Sequence, residues 1–128
     1  MKKIKIFVPI LLVLFISGCI FDSGIKWKNA PYVVMWIDDG DLSLNYDAGD
    51  GLYSERVGGK VVSVGENKKY IVAKQKNKDG KYYYYYIDRS KDNKYANAKE
   101  SVNGALSEQE FLNKKKELNL PDFQENFK

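Results

Sequence analysis

The sequence predicts an α+β fold: a small antiparallel β-sheet of about five strands with one C-terminal helix packed on it, preceded by a cleaved signal helix. Three observations predict it. Short runs rich in Val, Ile and Tyr recur between clusters of Gly and Asp, the pattern of strands joined by tight turns. Ser107 with Glu110 opens a helical stretch near the end of the chain. Residues 1–18 have a positive head, an apolar body and small residues before Cys19, which is a secretory pattern rather than part of a domain. The expected organisation is a signal peptide over residues 1–18, a tether over 19–30 and a single domain over 31–128.

Tyr32 to Ile37 reads as a buried strand, and Asp38-Asp39-Gly40-Asp41 as the turn after it. Leu42, Leu44 and Tyr46 alternate with Ser43 and Asn45, so a half-buried strand returns through a loop of about four residues. Asp47 to Gly59 is rich in Gly and Asp and reads as a loop, with Leu52 and Tyr53 as anchors. Val61, Val62 and Val64 begin a strand that Gly65-Glu66-Asn67 closes. Tyr70 to Gln75 and Tyr82 to Asp88 form a hairpin around Lys78-Asp79-Gly80, with Gly80 in the left-handed position of a three-residue loop. In that register Ile71 faces Ile87 and Ala73 faces Tyr85.

Arg89 to Ser101 is polar and reads as a loop. Ser107 then caps a helix, and Glu110 completes a capping box that satisfies two backbone donors. Glu108 and Glu110 lie at its positive end, Lys114, Lys115 and Lys116 near its negative end. Phe111, Leu112, Lys115 and Leu118 share one face, Pro121 stops the helix, and Phe123 and Phe127 fold back onto the domain.

At the other end of the chain, Lys2, Lys3 and Lys5 precede a wholly apolar run from Ile6 to Ile16. A spanning helix needs about 17–25 apolar residues, so this run is too short to be one. Ile16-Ser17-Gly18-Cys19 resembles the bacterial lipobox, an aliphatic residue and two small ones before an invariant Cys. The resemblance implies that the Cys19 thiol receives a diacylglyceryl group, that a peptidase cuts before it, and that acyl chains such as palmitate hold the protein to a membrane. Two chains suffice for stable anchoring. Ile20 takes the place of the acidic residue that resembles an inner-membrane retention signal. In a Gram-negative source this implies the outer membrane, facing the periplasm.

Composition closes several classes of function. The chain carries 21 basic and 17 acidic residues, for a net charge of +4. Cleavage before Cys19 removes three lysines and no acid, leaving 18 basic residues against 17 and a charge of +1. A near-neutral domain gives no case for nucleic-acid binding. No histidine occurs and Cys19 is the sole cysteine, which removes the commonest general base, a free thiol in the mature domain and the usual zinc ligands. No cofactor and no catalytic residue is expected.

Two features invite a site. Asp38, Asp39 and Asp41, with Asp47 and Asp50 after them, suggest calcium. Their spacing does not match a calcium loop, and solvated turns are the expectation, with no metal. Tyr82 to Tyr86 alternate between the two faces of a strand. Tyr82, Tyr84 and Tyr86, the set opposite the Ile71 face, are the candidate platform for an envelope protein or cell-wall component, since Tyr offers a stacking face and a hydroxyl. The ordinary alternative is β-propensity, with the rings in the core or under the helix. Lys114, Lys115 and Lys116 form a solvated helix end that could also touch lipid headgroups. The function expected is that of a non-enzymatic lipoprotein held in the cell envelope, and the alternative is a carbohydrate-active enzyme using an Asp/Glu pair.

The carboxy half is similar to a group of short bacterial lipoproteins of unknown function. Tyr70-Ile71-Val72-Ala73-Lys74-Gln75, Tyr85-Tyr86-Ile87-Asp88, Gly104-Ala105-Leu106-Ser107-Glu108-Gln109-Glu110-Phe111 and Lys116-Glu117-Leu118 carry the likeness. Relatives read Gly-Pro-Leu where this chain has Gly104-Ala105-Leu106. The resemblance implies a lipid-anchored domain of strand, hairpin and helix, and brings no activity or catalytic residues.

Overall fold

Turn chemistry divides the chain into more strands than five. A computed structural model describes residues 24–37 and 41–127; Cys19, the lipobox residues Ile16, Ser17 and Gly18, and the turn residues Asp38 and Asp39 lie outside them. Strands β1 (Ile25–Asn29), β2 (Tyr32–Ile37), β3 (Asp41–Gly49) and β4 (Leu52–Val57) form one antiparallel sheet in that order. Strands β5 (Lys60–Glu66), β6 (Tyr70–Lys76), β7 (Tyr82–Asp88), β8 (Val102–Leu106) and β9 (Glu125–Asn126) form a second, ordered β8-β7-β6-β5-β9. Helix α1 (Ala98–Ser101) is a single turn, and α2 (Glu108–Leu118) is the C-terminal helix.

The α+β class stands, but two sheets replace the single expected one. Three segments account for the difference. Asp47 to Gly59 holds a hairpin instead of a loop, because Asp47, Gly49, Asp50 and Gly51 gather at one tight turn: the Asp47 carboxylate accepts the Gly49 N–H at 2.9 Å, and Asp50 takes φ 56°. Ile25–Asn29, the end of the expected tether, pairs with β2 as an edge strand. Val102–Leu106 pairs with β7 ahead of the helix.

The two hairpins read from the sequence form as expected. Val34 faces Leu44 and Trp36 faces Leu42 between β2 and β3. Ile71 faces Ile87 and Ala73 faces Tyr85 between β6 and β7, with Gly80 at φ 83° in the connecting turn.

Two cores follow from this layering. Tyr32, Val34, Leu44 and Val57 of the first sheet meet Val61, Val64, Ile71, Ala73 and Ile87 of the second. On the far face of the second sheet, Tyr70, Val72 and Tyr84 meet Phe111 of α2 and Leu120 after it. Strand β6 is therefore buried on both faces from Tyr70 to Ala73, which explains its unbroken apolar run.

Helix α2 has the expected capping box: the Ser107 hydroxyl accepts the Glu110 N–H, and the Glu110 carboxylate accepts the Ser107 N–H at 2.9 Å. Its end comes at Asn119, which turns left-handed at φ 60° two residues before Pro121. The expected apolar face splits. Phe111 is buried and Leu118 packs beside it, whereas Leu112 points to solvent. The tail beyond Pro121 returns along β5, with the Gln124 and Phe127 N–H groups donating to Val64 and Val62 carbonyls. Phe123 enters the helix-side core and Phe127 the inter-sheet core, as expected.

Candidate binding surface

The tyrosine strand alternates as a strand must. Tyr85 points toward the inter-sheet core and donates its hydroxyl to the Gln75 side-chain oxygen at 2.9 Å. Tyr82, Tyr84 and Tyr86 take the opposite face, and that face is not open along its length. Helix α2 covers Tyr84, which stacks on Phe111 with ring centres 5.1 Å apart and donates its hydroxyl to Glu108 at 3.0 Å. Burial, then the Glu108 carboxylate, pushes the Tyr84 hydroxyl up to about 12. Tyr86 is half-buried, edge-on to Tyr70. Tyr82 remains 45% exposed, with the Lys74 ammonium 4.4 Å from its ring centre. The platform drawn from sequence thus loses Tyr84, because Phe111 and Phe123 need an apolar partner and the tyrosine ring supplies it.

A second arrangement is absent from the sequence reading. The side chains of Arg56 and Asp92 are fully buried, with the guanidinium Nη2 donating to Oδ1 at 3.0 Å and Nε to Oδ2 at 3.0 Å. Tyr32 donates to Oδ2 of that carboxylate at 2.8 Å, and Arg56 also donates to Ser54 and to the Asn93 carbonyl. Burial first, then the Asp92 carboxylate, holds the Tyr32 hydroxyl far above the ordinary tyrosine range. This network ties the segment after β7 to β4. The signal for it was present: Arg56 and Arg89 are the chain's two arginines among 21 basic residues. A planar fork is what a buried bidentate pair requires, and lysine cannot supply it. Arg89 likewise grips the Asn29 side chain and the Asn67 and Ala30 carbonyls.

Beyond the buried pair, the Asn93 side chain accepts the N–H groups of Tyr95 and Ala96, and Asn97 caps α1. The loop is fixed at both ends, and from it Tyr95 projects 85% exposed. Leu52 and Tyr53, also exposed, begin the strand that carries Arg56.

Among the described residues no three of Asp, Glu, His or Cys lie together as a metal site would need. Lys114 pairs with Glu117 and Lys115 with Asp122, while Lys116 borders a groove of about 490 Å³ beside Leu112 and Leu120. A smaller groove of about 280 Å³ is lined by Asp41, Gly59, Lys60, Gln75, Lys76, Asn77 and Lys78. No helix among the described residues is long and apolar enough to cross a membrane.

A family model described as protein of unknown function (DUF3997) matches residues 29–125, well beyond the carboxy half in which the likeness is read from sequence. No curated protein and no solved structure matches the chain.

Proposed function

The chain belongs to the DUF3997 family, and we propose that it is an exported lipoprotein of the cell envelope that binds rather than catalyses. Cys19, behind Ile16, Ser17 and Gly18, carries the lipid that holds it to the membrane. Its partner is a protein or a cell-wall component, met through exposed aromatic side chains. The observation that carries this reading is Tyr95: a large aromatic 85% exposed on a loop whose base is a fully buried ion pair. Rigidly displayed tyrosines contribute much contact energy at small entropic cost. Tyr82 on the second sheet is the other such ring.

The alternative, a carbohydrate-active enzyme, needs two carboxylates about 5–10 Å apart across a cleft. Among the described residues, one of the two grooves above is lined by no acid and the other by Asp41, so neither presents such a pair.

The test is capture from envelope fractions by wild type, Tyr95→Ser and Tyr82→Ser, each shown to be folded by circular dichroism. The expected result is a partner held by wild type and lost by a tyrosine variant. A partner retained equally by both variants would overturn the aromatic surface.

A further inference from the structure

We propose that the end of the second sheet that α2 leaves uncovered binds a linear polyanion of the cell wall, with Lys60, Lys74 and Lys76 meeting its charged groups beside the Tyr82 ring. The proposal rests on the reading of the chain as an exported binding protein, and it names the partner met at Tyr82.

Register and alternation bring these residues to one face. Lys60 pairs with Lys76 and Lys76 with Tyr82, so the three form one row across β5, β6 and β7. Lys74 stands two positions along β6 on the same side, opposite Tyr84. Val61, Ala73 and Tyr85, at alternate positions, turn the other way, toward the core between the sheets. Side-chain contacts agree: the Lys74 ammonium lies 4.4 Å from the Tyr82 ring centre and 5.6 Å from that of Tyr84. Helix α2 begins at Glu108, and its Phe111 stacks on Tyr84. Beyond that contact Lys60 and Tyr82 are exposed, and Lys76 is half-buried.

The lysines of this face are not matched by acids in the fold. The ion pairs among the described residues use Arg56, Arg89, Lys114 and Lys115, and none uses Lys60, Lys74 or Lys76. Of the described acids beside the face, Glu108 accepts the Tyr84 hydroxyl, and Asp79 in the hairpin turn accepts the Lys81 N–H at 3.0 Å. Like charges directly opposite each other destabilise a sheet, and an anion laid across Lys60 and Lys76 removes that cost.

The kind of cation selects the kind of partner. Both arginines of the chain are engaged within the fold, Arg56 by Asp92 and Arg89 by Asn29 and the Asn67 and Ala30 carbonyls. The face therefore offers ammonium groups, point charges that impose no planar geometry on an anion. Protein interfaces are enriched in Arg and depleted of Lys. A row of lysines about 5 Å apart thus fits a flexible chain of phosphates or carboxylates better than a folded acidic protein. Tyr82 adds apolar contact for the sugar or polyol between the charges.

Full-length protein in detergent is mixed with sacculi purified from the source cells, intact or stripped of phosphate polymers by acid, and the pelleted fraction is followed as salt rises. Soluble polyphosphate and polygalacturonate serve as competitors. Wild type is expected to pellet with intact sacculi, to be released by a competitor and to bind more weakly at high salt. Lys60→Gln combined with Lys76→Gln is expected to lower the affinity about tenfold and to flatten the salt dependence, with a urea midpoint no lower than that of wild type. Loss of binding on acid stripping assigns the charges to phosphate; binding that survives stripping and yields to polygalacturonate assigns them to carboxylate. Equal binding by wild type and the lysine variant, or no pelleting of wild type with sacculi, overturns the polyanion site. A partner still lost by Tyr95→Ser in that case leaves the aromatic binding reading standing. An acidic protein captured through Lys60 and Lys76, with sacculi unbound, overturns the polymer as partner.

Discussion

Asp92 and Arg56 show how a single pair can set the geometry of a surface. Both side chains are wholly buried, 36 positions apart in sequence, and every buried side-chain polar atom among the described residues has a partner. Removing one partner leaves the other charge unpaired away from water. Asp92→Ala is therefore expected to cost about 3–5 kcal/mol, seen as a lower urea midpoint. Tyr84 has a smaller role with a distinct pH signature. Its folded value of about 12 lies above the ordinary 10, so its contribution is complete below pH 10 and is lost as pH rises from there toward 12. Burial raises Tyr32 and Tyr85 in the same sense, so the alkaline loss is shared. Tyr84→Phe should lose about 1 kcal/mol at neutral pH and show a shallower decline than wild type in urea midpoints between pH 9 and 12. Parallel declines would refute the assignment to Tyr84.

Elements hold together here through a two-residue strand as much as through long ones. β9 pairs only with Ser63 and Val64, yet the tail that contains it brings Phe123 to one core and Phe127 to the other. Gly65 makes room for that tail, since a Cβ there would lie 2.0 Å from the Asp122 main-chain oxygen. Main chain cannot yield as a flexible side-chain tip would. Gly65→Ala is expected to lift the tail from β5, lowering stability by about 1–3 kcal/mol and exposing the segment after Pro121 to limited proteolysis. A tail as resistant as in wild type would count against the close approach. Helix α2 is secured at its start by the Ser107–Glu110 box. The Ser107 N–H, then its hydroxyl, holds the Glu110 carboxyl below the ordinary range. That support is present above the ordinary glutamate value and is lost as pH falls through the lowered one.

Three layers make up the described residues: the first sheet, the second sheet and α2, with β6 at the centre. The first sheet and the helix each bury one face of the second, so its two surfaces leave little open area along β6. At this scale the proposed lipid on Cys19 would decide location. Cys19→Ala should move the protein from the membrane to the soluble fraction without changing its circular dichroism. Protein that stays membrane-bound after that change would refute lipid attachment at Cys19.

By itself the sequence determined what depends on near neighbours. Period-two alternation and a glycine suited to φ above zero specified the β6–β7 pairing to the residue, because a slip by one would turn Ile71 and Ile87 out of the core. Ser107 and Glu110 specified the start of α2, since a cap is satisfied within four residues. Only the tertiary structure decided matters resting on distant partners. Nothing local distinguishes Asp47 to Gly59 as a hairpin from a loop until Leu44 and Val57 pair and meet Val61 and Val64 across the sheets. The tyrosine run shows its alternation in the sequence, but which ring is covered depends on where Phe111 and Phe123 dock. Asp92 looks like any loop acid until Arg56 and Tyr32 close on it, because the free energy of a buried charge is set by the groups around it and not by its neighbours in the chain.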